Sequence, residues 1–384
     1  MLRSFAAVFG LSIAILASYL GYQTSVLGKK VTHLSADWNK TQEELQKTTQ
    51  EFEELKNQDQ IKINQALNEE VGNIKKTYSA AVGSYEDLLE LKESTNKTEA
   101  LDKLFADALS FLSKANYATA SATLDILNKK IEEQRTEIAS TFKIPENVPV
   151  QNAPPGAGYS RQQVATDVGT FMVSIVAADL GNTRVIVDTA SDGSCGDNCP
   201  VLPLATYVSR SGAFAGVNGT YFCPAAYPTC SGKTNSFDLL LMNKNKTYFN
   251  SDNNVYSANP GVIFSGGYIR FVSAVSQWGR DTGIDGMLSN YPLLVFNGGV
   301  SFGGDDDPKK GSKGSRSFVA NKGNTIYIGV VHSATVAESA RVMKALGMEN
   351  ALNLDDGGST ALWSGGYKVG PGRDLPNVIL FVRK

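Results

Sequence analysis

Ala351-Leu352-Asn353-Leu354-Asp355-Asp356-Gly357-Gly358-Ser359-Thr360-Ala361-Leu362-Trp363 sets two adjacent carboxylates and two glycines between apolar runs. The order reads as strand, tight turn, strand. Glycine at such a turn admits positive φ or lets backbone approach a ligand closely. Carboxylates at the end of a buried strand are costly unless they pair, bind or react. The competing reading is an acidic turn on a surface hairpin, because Asp-Gly is a strong hairpin signal.

Outward from this stretch, residues 160–384 alternate strand-like runs with glycine turns. Runs at 171–177, 183–188, 213–217, 238–242, 261–264, 268–272, 293–296, 317–320, 325–331, 351–354, 360–363 and 378–382 read as strands. Helix signals are few. One covers 202–210. The clearer one covers 335–346, where Thr335 can cap, Glu338 follows three residues later and Gly347 ends the run. The expectation is an α+β domain with a mixed, strongly curved sheet and few helices. Its length of about 225 residues is enough for one sizeable core.

The N-terminal part has another character. Of 384 residues, 36 are glycine, but only five glycines precede residue 151, and no proline precedes Pro145. Such a segment is free to be helical. Val31, Leu34, Trp38, Thr41, Leu45, Thr48, Phe52 and Leu55 recur at three and four, as do Leu67, Val71, Ile74, Tyr78, Ala81, Tyr85 and Leu88. These are heptad positions with a phase slip near Asp59. A break at 93–96 and a turn near Asn116-Tyr117 divide off two further amphipathic helices. Residues 29–143 therefore read as a coiled-coil or hairpin stalk, suited to spacing or homo-oligomerisation. Residues 144–159 hold Pro145, Pro149, Pro154, Pro155, Gly156 and Gly158, and read as a linker to the domain at 160–384.

Residues 1–28 contain an apolar run at 5–22, flanked by Arg3 and by Lys29-Lys30. That run is at the lower limit for a membrane span and long for a signal-peptide core. No good cleavage site follows, so an uncleaved N-terminal membrane anchor is expected, with a cleaved signal and secretion as the alternative. The net charge of −2 calls for neither nucleic acid nor an anionic surface. The four cysteines, Cys195, Cys199, Cys223 and Cys230, allow three pairings. Two short loops, Cys195–Cys199 and Cys223–Cys230, are favoured. Their spacing and the lack of a nearby histidine argue against zinc. Disulfides place the C-terminal domain outside the cytoplasm.

Three more segments could carry chemistry. Gly216-Val217-Asn218-Gly219-Thr220-Tyr221-Phe222 puts a carboxamide where a strand ends, although Asn-Gly is also a common hairpin turn. Gly314-Ser315-Arg316-Ser317-Phe318 sets one arginine, whose planar fork suits phosphate, before a strand. His332 ends a strand just before the capped helix, a suitable place for an acid or base. The Gly303-Gly304-Asp305-Asp306-Asp307-Pro308 run could bind a divalent cation, but it lacks calcium-loop spacing and reads better as a solvated loop. No required cofactor is legible.

Taken in order, these segments resemble the phosphodiester glycosidase family. The stretch 213–222 is similar to the family's Asn-Gly-Gly-aromatic-Phe segment, and Ser315-Arg316-Ser317 to its arginine-plus-hydroxyl segment. Residues 338–347 resemble its helix ending in Leu-Gly, and 351–362 its Leu-Asp-Gly-Gly-Gly-Ser segment. The resemblance covers about 160–384 and departs at Asp356 and Thr220, where the family has glycine. It implies hydrolysis of a sugar from a glycosyl 1-phosphodiester of envelope or exopolysaccharide type. It also implies roles. Asp355 faces the anomeric carbon, and Arg316 holds the phosphate. Asn218, Gly219, Gly357, Gly358, Ser359 and Thr360 orient the substrate. Asp356 and His332 are secondary acid/base candidates. Replacing Arg316 or Asp355 is expected to remove turnover at little cost in stability. The alternative is a non-catalytic module that binds glycan or sugar phosphate on a surface scaffold.

Overall fold

The computed structural model describes residues 2–56 and 59–384, without the side chains of 2–9, 12, 59 and 60. The expected phase slip near Asp59 and the start of the apolar run fall among the side chains left out. The chain divides into two compact units, one up to Lys76 and one from Thr77 to Lys384. The first holds helix α1 (Leu2–Lys56) and the opening of α2 (Asp59–Lys92). Its heptad residues Leu34, Trp38, Leu45 and Phe52 are exposed. Pairs such as Lys47 with Glu51 at 3.8 Å line the helix surface. Among the described residues no helix is long and apolar enough to cross a membrane.

In the second unit the end of α2 packs with α3 (Glu99–Ser113) and α4 (Tyr117–Thr141). Leu88, Leu91, Leu101, Ala108, Leu112, Leu124, Leu127 and Ile131 form their core, at the three-and-four spacing read from the sequence. Asn116 starts α4 by accepting from the Thr119 amide at 3.3 Å.

The rest of this unit is β-rich. Its strands are β1 (Gly158–Thr166), β2 (Gly169–Asp179), β3 (Thr183–Thr189), β4 (Ala215–Asn218), β5 (Leu241–Met242), β6 (Tyr248–Phe249), β7 (Gly261–Ser265), β8 (Tyr268–Val272), β9 (Gly286–Ser289), β10 (Leu293–Phe296), β11 (Gly299–Val300), β12 (Gly314–Lys322), β13 (Thr325–Ala334), β14 (Asn350–Asp356), β15 (Leu362–Ser364), β16 (Tyr367–Val369) and β17 (Asn377–Arg383). Helices α5 (Leu204–Ser211), α6 (Pro308–Gly311) and α7 (Val336–Ala345) interrupt them. Thr335 and Glu338 close the expected capping box on α7.

Three sheets result, in orders β1-β2-β13-β12-β14-β10-β11, β16-β15-β4-β17-β3 and β6-β5-β9-β7-β8. The expected mixed sheet is corrected: every ladder between these strands is antiparallel. Parallel neighbours need a crossover of a dozen residues or more, whereas tight turns link β1 to β2 and β12 to β13. Side chains alternate between two cores. Val319 packs with Val187, Val262 and Ile379 between the sheets. Its neighbours Phe318 and Ala320 pack on the other face with Val336, Ala340 and Met343 of α7.

The strand–turn–strand reading of 351–363 holds, but the hairpin does not. Strand β14 belongs to the seven-stranded sheet and β15 to a five-stranded one. The Gly357–Ser359 turn carries the chain across, with Gly357 at φ +59°. Both disulfides, Cys195–Cys199 and Cys223–Cys230, are formed as favoured. Phe318 is fully buried on the strand that delivers Arg316. Phe318→Ala should cost about 3–5 kcal/mol, read as a lower urea midpoint at an unchanged slope.

Candidate active site

The site forms where β4, β12 and β14 converge. The Asp355 amide donates to the Gly219 carbonyl at 2.9 Å, and Arg316 sits opposite Asp356 in the β12–β14 ladder. Asn218 fastens the junction. Its amide nitrogen donates to the Asp355 carbonyl at 2.7 Å, while its oxygen accepts from Ser317 Oγ at 2.8 Å and the Ala361 amide at 3.1 Å. Asn218 is fully buried, and these bonds make it a clamp on the backbone that carries the acids.

The two carboxylates live in different environments. Asp356 Oδ2 accepts from Arg316 Nη1 at 3.2 Å, Asn353 Nδ2 at 2.9 Å and the Tyr221 hydroxyl at 3.3 Å. Its Oδ1 accepts from the Ser317 amide at 3.1 Å. Burial pushes Asp356 up and outweighs the pull of Arg316, Asn353 and Ser317, so its carboxyl also stays above the ordinary aspartate value. Asp355 has no such cation in contact. Its Oδ1 accepts from the Asp356 amide at 2.9 Å. Burial pushes its carboxyl up to about 7, offset in part by the nearby Ser359 hydroxyl and raised further by Asp356. The Ser359 hydroxyl is the largest of these offsets, although it makes no hydrogen bond of ordinary geometry. Adjacent carboxyl groups with such unlike partners can take different acid–base roles.

Arg316 is committed to the protein. Nε donates to the Ala334 carbonyl at 3.0 Å, and Nη2 to those of Lys309 and Ser312 at 2.9 and 2.6 Å. With the Asp356 pair, these bonds use four of its five donors. The expectation of a free phosphate-holding guanidinium does not describe this side chain, which is only 6% exposed. It neutralises Asp356 and ties down the 308–312 turn.

Asp355 and Asp356 line a cavity of about 320 Å³ with Arg316, Gly358, Tyr221 and Arg373. A second, of about 600 Å³, adjoins it and shares Arg316, Gly358 and Arg373. Gly357, Thr360 and His332 line only the larger one. His332 Nε2 meets Ser174 Oγ at 3.0 Å, and its ring stacks on Phe142 at 6.2 Å. Burial pushes it down to about 4, so it is neutral near pH 7. Gly219 packs so tightly on Asn377 that a Cβ would collide. Thr220 is held by Asn377 as well, its amide donating to Oδ1 and its hydroxyl accepting from Nδ2, both at 2.9 Å. Neither they nor Ser359 line the cavities.

Residues 211–382 match the family model for phosphodiester glycosidase. Those residues therefore carry a phosphodiester glycosidase-type domain. No curated protein matches the chain. Distant solved structures are similar, two of them as follows. A hypothetical protein from Synechocystis is 15% identical, covering 59% of this chain and 62% of its own, with a TM-score of 0.42. The catalytic domain of zebrafish N-acetylglucosamine-1-phosphodiester alpha-N-acetylglucosaminidase, auto-inhibited by pro-peptide, is 13% identical, covering 62% and 87%, with a TM-score of 0.44. The chain thus spans 62% of the length of the first.

Within the phosphodiester glycosidase domain, sequence reasoning passed over Tyr221, Tyr227, Lys309 and Arg373 as site residues, although all four line the smaller cavity. Tyr221 stood inside a segment already singled out. Arg373 follows Gly370-Pro371-Gly372, a turn signal with no chemistry of its own. Glu86 and Glu90 of α2 also line it, which no local pattern announces. Among the described residues no group of three or more His, Cys, Asp and Glu could hold a metal. In the Asp305-Asp306-Asp307 run, Asp305 pairs with Lys310 and Asp307 caps α6 through the Lys309 amide at 2.9 Å.

Two stability predictions follow from the unequal pair. Asp355 is raised from 3.8 to about 7, so between those values the folded state holds one more proton than the unfolded state. Its contribution is full below about pH 4 and is lost as pH rises through about 7. Asp355→Asn should therefore melt higher than wild type at pH 8, with the gap closing near pH 4. A gap independent of pH would contradict the assignment. Arg316→Ala strands Asp356 and should cost about 3–5 kcal/mol in urea unfolding, contrary to the sequence expectation of little cost.

Proposed function

We propose that the domain hydrolyses the bond between a sugar's anomeric carbon and the phosphate of a glycosyl 1-phosphodiester. The single supporting observation is the pair of buried carboxylates with unlike surroundings in one cavity: Asp356 paired with Arg316, and Asp355, with no cation in contact, raised to about 7. Above pH 7 Asp355 is ionised and faces the cavity as the carboxylate at the anomeric centre. The C1–O bond breaks, and its electron pair leaves on the phosphate oxygen. Water supplies hydroxyl to C1, and its proton passes to a carboxylate or to the phosphate. Phosphate leaves readily, so strong acid catalysis is less necessary than for ordinary glycosides. Tyr221 and Tyr291, tilted at 5.1 Å, offer an aromatic wall for the sugar.

The two disulfides fit an extracytoplasmic domain. The N-terminal apolar run fits a membrane anchor, and an envelope or exopolysaccharide phosphodiester is the natural substrate there. The exposed heptad stripe of α1 fits pairing with a second copy of this chain.

The full chain should be incubated with UDP-N-acetylglucosamine and related glycosyl phosphodiesters, with and without a chelator. The expected product is free sugar, with kcat/KM rising through about pH 7 as Asp355 ionises. Asp355→Asn should lower turnover by about 1,000-fold or more. Release of sugar phosphate instead of free sugar would mean P–O cleavage and would overturn the proposal.

A further inference from the structure

Since Arg316 is committed to the protein, the cavity needs another group to hold a substrate anion. Arg373 lines both cavities, with its side chain 20% exposed. The Gly370-Pro371-Gly372 segment lies flat on the acidic turn, where a Cβ at Gly372 would come 2.7 Å from the Gly358 carbonyl. The Arg373 amide donates to that carbonyl at 2.8 Å. This fixes the root of the side chain one residue from the carboxylate turn's own glycines. The guanidinium rests against the Tyr227 ring at 5.0 Å and donates to its hydroxyl at 3.3 Å. Lys309 Nζ lies 5.0 Å from the same ring. The Arg373 charge also reaches Asp355, whose carboxyl it pulls down.

One anion is already in place beside it. The Glu93 carboxylate, just past the end of α2, accepts from Arg373 Nε at 2.9 Å and also from Nη2. It presses so closely on the Gly358 backbone that a Cβ there would collide with it. Glycine at 358 therefore leaves room for an anion against the main chain, the close approach that the glycine pair suggested. Nearby, Glu90 Oε1 stands 3.1 Å from where a Cβ at Gly357 would lie, and Glu90 is itself held by Arg135 at 3.1 Å. Glu90 has its own cation, so Arg373 is left to Glu93.

We infer that Arg373, seated on Tyr227 and backed by the bare Gly358 main chain, holds the phosphate oxygens of the substrate, and that the Glu93 carboxylate stands in for them in this structure. The assignment deepens the glycosyl phosphodiester reading and rests on it. A planar guanidinium is suited to two phosphate oxygens at once. The position lies beside Asp355, where the phosphate of a substrate must be if its anomeric carbon is to face that carboxylate.

The test is calorimetric titration of the full chain with inorganic phosphate, alongside sugar release from UDP-N-acetylglucosamine. Glu93→Gln removes the competing carboxylate and should tighten phosphate about tenfold or more, equivalent to about 1.4 kcal/mol. Arg373→Gln in the Glu93→Gln background should reverse that gain, and Arg373→Lys should recover part of it. Gly358→Ala, at a position without positive φ, should weaken phosphate by filling its space and serves if Arg373→Gln does not fold. The inference is overturned if Glu93→Gln takes up no phosphate, or if removing the guanidinium or filling position 358 leaves its affinity unchanged. Phosphate binding that follows Arg373 without sugar release would remove the glycosidase reading and leave the anion position standing. Sugar release with a KM indifferent to Arg373→Gln would remove this inference alone.

Discussion

Two adjacent carboxylates buried at the end of one strand are the constraint on which the site depends. Burying Asp355 and Asp356 side by side is unfavourable unless at least one is compensated. The chain compensates only one. Arg316, Asn353, Ser317 and Tyr221 all converge on Asp356, and Arg316 reaches it because β12 pairs with β14. Asp355 is left with a backbone amide and the Ser359 hydroxyl, and burial raises its affinity for a proton.

The fold serves this arrangement by turning strands over between sheets. The chain leaves the seven-stranded sheet at Asp356 and enters a five-stranded one at Leu362. Asn218, at the end of β4, bridges the gap by bonding both sides of that passage. The aspartate at 356 thus carries its own support: a guanidinium, an amide, a carboxamide and a phenol. The threonine at 220 is absorbed by Asn377 and does not reach the cavity.

Much of this was legible in the sequence, for identifiable reasons. Alternating apolar runs located β7, β8, β10 and β17, and the Thr335–Glu338 spacing located the start of α7. The capping box is local, and so readable. Short cysteine spacings left one favoured pairing, and the structure has it. What sequence could not supply was partnership. Arg316 reads as a free cation until β12 is laid beside β14. Arg373 reads as a turn residue until its segment is laid along the 357–358 glycines. Glu93 reads as the end of a stalk helix, because its meeting with Arg373 spans 280 positions. Likewise the antiparallel order of the sheets depends on which runs pair, and periodicity is silent on pairing.

The central claim is that the Asp355 carboxyl, which has no cation in contact, titrates near neutral pH. Carbon-13 NMR of the aspartate carboxyl groups, with Asp355→Asn to assign the signal, measures this directly in the full chain. A carboxyl resonance lost in that variant and titrating with an apparent pKa near 7 is the predicted result. An Asp355 signal titrating near the ordinary aspartate value of about 4 would contradict the account, because burial without a contacting cation would then have left that carboxyl unshifted.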